Sequence, residues 1–209
     1  GYFWERPVRL IVLPEYFLQG VTTPGKGEAG LKEFMDKAIT IPGPEMDMLA
    51  EKAREYNLFI SGGGVIELLP EFPDRWFNTA FIIGPSGEVI LKYHKWHIPA
   101  SIGMGTSPHD MLDDYTKVFG NNIRQRFPVV DTEIGKLGTM TCHDGATPEV
   151  SRALAFNGVE VICHPTTDSN SVSSDEESSD EEQDIEAVAA GPAEPPVAPD
   201  DTEAEGGAF

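Results

Sequence analysis

Cys142 stands in GTMTCHDGATPEV, where a strand-like run, Lys136 to Thr141, gives way within a few residues to a helix-like one. A thiol on such a turn points outward. Free backbone N–H groups and the positive end of the helix favour its thiolate, the form that attacks carbon. The backbone N–H of His143 then faces any oxyanion formed on a carbonyl attacked by that sulfur. Glu15, in LPEYF, lies at the carboxyl end of an apolar run, where layered α/β proteins place their ligand sites. A carboxylate on an apolar rim suits a general base. Lys95, in KYHKWHIP, follows a hairpin strand, and an ammonium there can steady a negative tetrahedral species. Each residue also has a plainer reading. Free cysteines are mostly buried, glutamates mostly solvated, and lysine stems often lie over aromatic rings.

The elements that must position these groups follow from periodicity. Val8 to Leu13 reads as a short strand buried on both faces and ended by Pro14. Pro44 to Tyr56 reads as a helix, with Pro in its first turn, acids following, and Met46, Leu49 and Ala53 at helical spacing. Leu58 to Ile66 reads as a strand interrupted by Gly62, Gly63 and Gly64. Phe77 to Ile83 and Glu88 to Tyr93 flank Gly84-Pro85-Ser86-Gly87, a hairpin signal. Pro99 to Gly120 reads mostly as loop, with a short helix around Asp110 to Val118. Phe127 to Asp131 and Lys136 to Thr141 suggest a second hairpin turning near Gly135. Pro148 to Phe156 is helical and closes at Asn157-Gly158, and Val159 to Cys163 is one more buried strand. Helices and strands interleaved with hairpins imply a layered α/β protein on a mixed sheet.

Charge divides the chain. Residues 168–209 hold fourteen Asp and Glu and no Lys, Arg or His, so they carry −14 of the formal −20. Ser173 to Glu177 and Ser178 to Glu182 repeat SSDEE, and a Pro/Ala/Glu-rich stretch follows. Such a segment cannot bury enough apolar surface to offset its ordering entropy, so the reading is one domain over 1–167 and a disordered acidic tail over 168–209. No basic patch suits a nucleic acid, and no apolar run approaches the ~20 residues that span a bilayer. Two cysteines make no disulfide framework, and no signal peptide is visible, which implies a reducing, cytoplasmic setting. The chain starts at Gly1, which implies a processed or incomplete beginning.

Glu, Lys and Cys in this order and setting resemble the nitrilase superfamily of carbon–nitrogen hydrolases. LIVLPEYF resembles its strand-Pro-Glu motif, LKYHKWHIP is similar to its Tyr-x-Lys-x-His stretch, and GTMTCHDGATPEVSRALAFNGVEVICHPT resembles its Cys block. The resemblance covers most of residues 8–166. It implies an αββα sandwich in which Cys142 attacks an amide- or nitrile-type carbon, Glu15 carries the proton, and Lys95 and the His143 N–H hold the oxyanion. It calls for no cofactor. Asp144 and Glu149 are expected to fix the turn and helix start rather than touch substrate. Many family members carry a second glutamate after the lysine. Here only Asp110, Asp113 and Asp114 could replace it. The family's domain also runs beyond Cys163, so the chain reads as a truncated version of the fold.

The competing reading is a non-catalytic nitrilase-like protein that binds partners through its acidic tail, which suits an acid-directed kinase. A metal site at His94-x-x-His97 is disfavoured, because residues three apart on a strand face opposite ways. Cys163 reads as core, Trp4, Trp76 and Trp96 as packing or pocket walls, and Gly62 to Gly64 lack the context of a phosphate loop. Substrate identity and homo-oligomerisation are left open.

Overall fold

A computed structural model describes residues 7–20, 28–98 and 105–167. The segment read as an acidic tail, and Trp4, lie outside the described residues. Two mixed sheets form the centre. The first has the order β1 (Leu10–Glu15), β2 (Phe59–Leu69), β3 (Phe72–Ile83) and β4 (Val89–His94). In it β1 runs parallel to β2, while β2, β3 and β4 are antiparallel. The second has the order β5 (Val129–Thr132), β6 (Gly135–Thr139) and β7 (Val161–Cys163), with β5 antiparallel and β7 parallel to β6.

Helices α1 (Glu28–Lys37) and α2 (Pro44–Tyr56) cover one face of the first sheet. From α2, Met46 and Ala53 pack on Ile60, Val65, Phe81 and Ile83. From α1, Phe34 stacks on Trp76 with ring centroids 4.7 Å apart, beside Ile66. The sheets meet through a core in which Phe77, Ile82 and Tyr93 share one cluster with Leu137 of β6. Val150 and Leu154 of α5 (Pro148–Phe156) join that cluster, and Leu154 packs against Gly138 of β6. The result is the expected helix–sheet–sheet–helix sandwich. Two short helices, α3 (Leu112–Phe119) and α4 (Ile123–Arg126), link the sheets. Among the described residues no helix is long and apolar enough to cross a membrane.

The helices over Pro44–Tyr56 and Pro148–Phe156 and both expected hairpins are present. Several expectations need correction. β1 does not stop at Pro14 but runs through it to Glu15. It is an edge strand with a register shift between Val12 and Glu15, and an edge tolerates a residue without an N–H. Nor is it buried on both faces, since Ile11 and Val12 are 39% and 45% exposed. β7 is shorter than expected and is buried only at its end: Val161 is 40% exposed, and Cys163 is core. Gly62–Gly64 do not interrupt β2, which passes through them on a register shift against β3.

Those glycines make room for neighbours. A Cβ at Gly62 would fall 2.5 Å from the Phe81 ring, one at Gly63 2.0 Å from Pro165, and one at Gly64 2.0 Å from Glu15 Cγ. Gly64 also has φ +69°, a conformation that side chains other than glycine's adopt only under strain. Gly64→Ala should therefore lower unfolding free energy by about 2 kcal/mol or more, by clash and backbone strain together. Urea denaturation of the variant checks this; stability equal to the parent would contradict the close seating of Glu15 on β2.

Candidate active site

Glu15 ends β1, Lys95 follows β4, and Cys142 opens a 3-10 turn, Cys142–Ala146, between β6 and α5. The fold brings the three together. Lys95 Nζ donates to Glu15 Oε1 at 2.9 Å, and both residues are buried, 4% and 3% exposed. The Cys142 thiol lies within the field of both the Glu15 carboxylate and the Lys95 ammonium. Oε1 accepts a second donor, Asn78 Nδ2, at 2.8 Å, and the same Nδ2 reaches the Tyr16 hydroxyl at 3.1 Å.

Backbone geometry sets the approach. Cys142 has φ +46° and Tyr16 φ +57°, both left-handed and both costly for a residue with a side chain. The Cys142 N–H donates to Pro165 O at 2.8 Å, and the Glu15 N–H to Thr166 O at 3.3 Å. The segment after β7 thus ties the nucleophile candidate and the base candidate to one stretch of chain. Pro165 fits there only because Gly63 has no side chain.

Asp144 organises the remainder. It is 0% exposed and accepts four donors. The Tyr93 hydroxyl at 2.9 Å and the Thr141 N–H at 3.2 Å go to Oδ2. The His97 N–H at 2.8 Å and His97 Nδ1 at 3.1 Å go to Oδ1. Tyr93 and His97 flank Lys95, and Thr141 precedes Cys142, so one carboxylate fixes the lysine segment against the cysteine turn. Asp144 thus holds the turn, as expected, while Glu149 stands exposed in the first turn of α5.

The expectation of a lowered thiol is overturned. Burial pushes the Cys142 thiol up and the charge of Glu15 pushes it further, against the pull of Lys95. The helix start is also not adjacent, because the five-residue 3-10 turn precedes α5 and a helix dipole fades beyond its own first turn. The site therefore holds a protonated thiol beside a carboxylate rather than a standing thiolate. Burial and Glu15 likewise raise the Tyr16 hydroxyl, which stays protonated. His143, the expected oxyanion donor, follows Cys142 in the turn with its ring exposed.

The acids considered as a second glutamate are engaged elsewhere or stand in solvent. Asp110 accepts the Ser107 N–H at 2.9 Å, Asp114 pairs with Lys117 at 2.6 Å, and Asp113 is exposed. His94 and His97 diverge, His94 Nδ1 to the Tyr115 hydroxyl at 2.8 Å and His97 to Asp144. Among the described residues no group of three His, Cys, Asp or Glu could hold a metal ion. Sequence reasoning missed Asn78, Gly63, Gly64 and Pro165. The only signal was the glycine run itself.

The family model for carbon–nitrogen hydrolases matches residues 4–190. This chain belongs to the carbon–nitrogen hydrolase family. Formamidases of Bacillus cereus strain Q1 and Bacillus anthracis are each 36% identical over 160 residues, which is 74% of this chain and 40% of theirs. The chain therefore spans about two fifths of the length of these curated relatives. Among solved structures, Saccharomyces cerevisiae Nit3, of branch 10 of the nitrilase superfamily, aligns at a TM-score of 0.56 and 23% identity, over 76% of this chain and 51% of that one. An amidase of the same superfamily from Nesterenkonia sp. AN1 aligns at 0.54 and 20%, over 78% and 55%. In a variant of that amidase the acetamide moiety of fluoroacetamide is covalently added at the active site cysteine. These likenesses agree with the sandwich described above.

Removing the Asp144 carboxylate should leave the Tyr93 hydroxyl and the Thr141 and His97 N–H groups without their partner in a dry interior. Asp144→Ala is therefore expected to cost roughly 3 kcal/mol or more, since each buried orphan costs about 1–3 kcal/mol. A thermal melt within error of the parent would show that Asp144 does not hold the two segments together.

Proposed function

We propose that this chain carries the amide-cleaving centre of a carbon–nitrogen hydrolase, with Cys142 as nucleophile, Glu15 as proton carrier and Lys95 as oxyanion partner. The observation that carries the reading is the buried Lys95–Glu15 contact at 2.9 Å, with the Cys142 thiol inside the field of the same two charges. In the proposed sequence Glu15 takes the thiol proton as sulfur bonds to the acyl carbon. Negative charge moves onto the acyl oxygen, stabilised by Lys95 Nζ and the His143 N–H. Glu15 then protonates the nitrogen as the C–N bond breaks, so ammonia or an amine leaves and a thioester remains. Water, deprotonated by Glu15, attacks that thioester; the acid departs and the thiol is restored.

Small amides are the favoured substrates, because the similar curated proteins are formamidases and a structural neighbour is an amidase. Two free cysteines fit the reducing, cytoplasmic setting expected from sequence. Ammonia release from formamide and acetamide tests the proposal. Cys142→Ala should lower it on the order of 10³-fold or more, and Glu15→Gln about 10²-fold or more, with folding retained. Turnover surviving Cys142→Ala would refute the mechanism. A parent chain as inert as that variant would support the alternative, a nitrilase-like protein that binds without turnover.

We also infer that the folded unit ends near residue 167 and that the acidic segment is an appendage. Deleting residues 168–209 should leave the melting temperature unchanged. A fall of several degrees would move the boundary towards residue 190, where the family match ends.

A further inference from the structure

Asn78 is 3% exposed, near the middle of β3, opposite Ile66 of β2. Its backbone carbonyl accepts the Lys95 N–H at 2.8 Å, which sets the lysine's place just beyond β4. Its side-chain Nδ2 donates to Glu15 Oε1 at 2.8 Å, next to the 2.9 Å bond from Lys95 Nζ to the same oxygen. Two donors therefore converge on one oxygen of Glu15. Neither of them bonds Oε2, and the Glu15 and Cys142 N–H groups are held side by side on the adjacent carbonyls of Thr166 and Pro165, with the Glu15 charge acting on the thiol. The amide cannot turn over without cost, because its Oδ1 would then face the carboxylate and the donor to the Tyr16 hydroxyl would be lost as well.

We propose that Asn78 is a positioning residue that saturates Glu15 Oε1 together with Lys95 and so directs the Cys142 proton to Oε2. This rests on the proposed role of Glu15 as proton carrier. The proton passes from Sγ to Oε2 and later from Oε2 to the departing nitrogen, while Oε1 keeps both donors throughout. The carboxylate thus need not rotate between the two transfers, and its plane stays fixed relative to the sulfur. The Asn78–Tyr16 bond extends the same restraint to the residue after Glu15, whose backbone is left-handed.

The test reads the titration of Cys142 rather than turnover, so it stands apart from the amide-cleavage assay. The rate of iodoacetamide alkylation is measured against pH, with peptide mass mapping to separate Cys142 from Cys163. In Asn78→Ala the Glu15 charge is compensated by Lys95 alone and holds the thiol proton more tightly. The midpoint of Cys142 alkylation should rise by about half a pH unit or more. In a Glu15→Gln background the same Asn78→Ala change should shift the midpoint little, because Asn78 acts through Glu15. Asn78→Leu keeps the shape and loses the donor without adding charge, and serves if the alanine variant melts early. Its upward shift should be larger with Glu15 present than in the Glu15→Gln background. Equal midpoints in parent and Asn78 variants, or equal shifts in both backgrounds, would overturn the proposal.

Discussion

The arrangement depends on a buried carboxylate, Asp144, that accepts donors from two parts of the chain far apart in sequence. Lys95 belongs to the end of the first sheet and Cys142 to the end of the second sheet's β6, and sheets packed through apolar side chains can slide on a scale that matters for chemistry. A charge at 0% exposure is tolerated only with full hydrogen bonding, so Asp144 fixes its donors as strictly as they fix it. Tyr93 and His97 bracket Lys95, and the Thr141 N–H comes from the residue before Cys142. The separation of lysine and cysteine is therefore set by directional bonds rather than by packing alone. Burial and Asp144 together also hold the Tyr93 hydroxyl protonated, which keeps it a donor.

β4 then sorts two charged groups onto opposite sides. Leu91 and Tyr93 join the core between the sheets, while Lys92 and His94 turn the other way to Glu67. Lys92 Nζ bonds Glu67 and also the Ile41 carbonyl at 2.9 Å, and His94 Nε2 lies 3.6 Å from Glu67. Burial alone would raise the Glu67 carboxyl, but the nearness of His94 and the charge of Lys92 outweigh it and leave it lowered. Lys92 is thus paired with Glu67 rather than with Glu15. Strand alternation therefore keeps Lys92 away from the Glu15 carboxylate while Lys95, beyond the strand, reaches it.

What was legible in the sequence was what local pattern encodes. Pro44–Tyr56 and Pro148–Phe156 carry Pro at the start and apolar spacing of 3.6, and both hairpins carry glycine turns, so their limits were readable. The candidate triad was readable because residue type and chain order resemble a family. Asn78 was not, because its role follows from the β2–β3 register and from where β1 ends, neither of which any local window contains. Pro14 misled because its effect depends on whether a strand is an edge. The thiol's direction was misjudged for a similar reason. The turn motif suggested a helix dipole, whereas burial and then the charge of Glu15, 127 positions away in the sequence, push the thiol up. Gly63 and Gly64 were visible as a run, but their partners Pro165 and Glu15 come from β7's exit and from β1.

The proposed chemistry passes through a covalent acyl thioester on Cys142, with Glu15 and Lys95 in support. Its most direct test is intact mass and peptide mapping of the protein quenched with acid during incubation with small amides and nitriles. An added acyl mass is expected on the peptide containing Cys142 and none on that containing Cys163. An acyl adduct on any other residue, or ammonia released with no adduct at Cys142 under rapid quench, would contradict it.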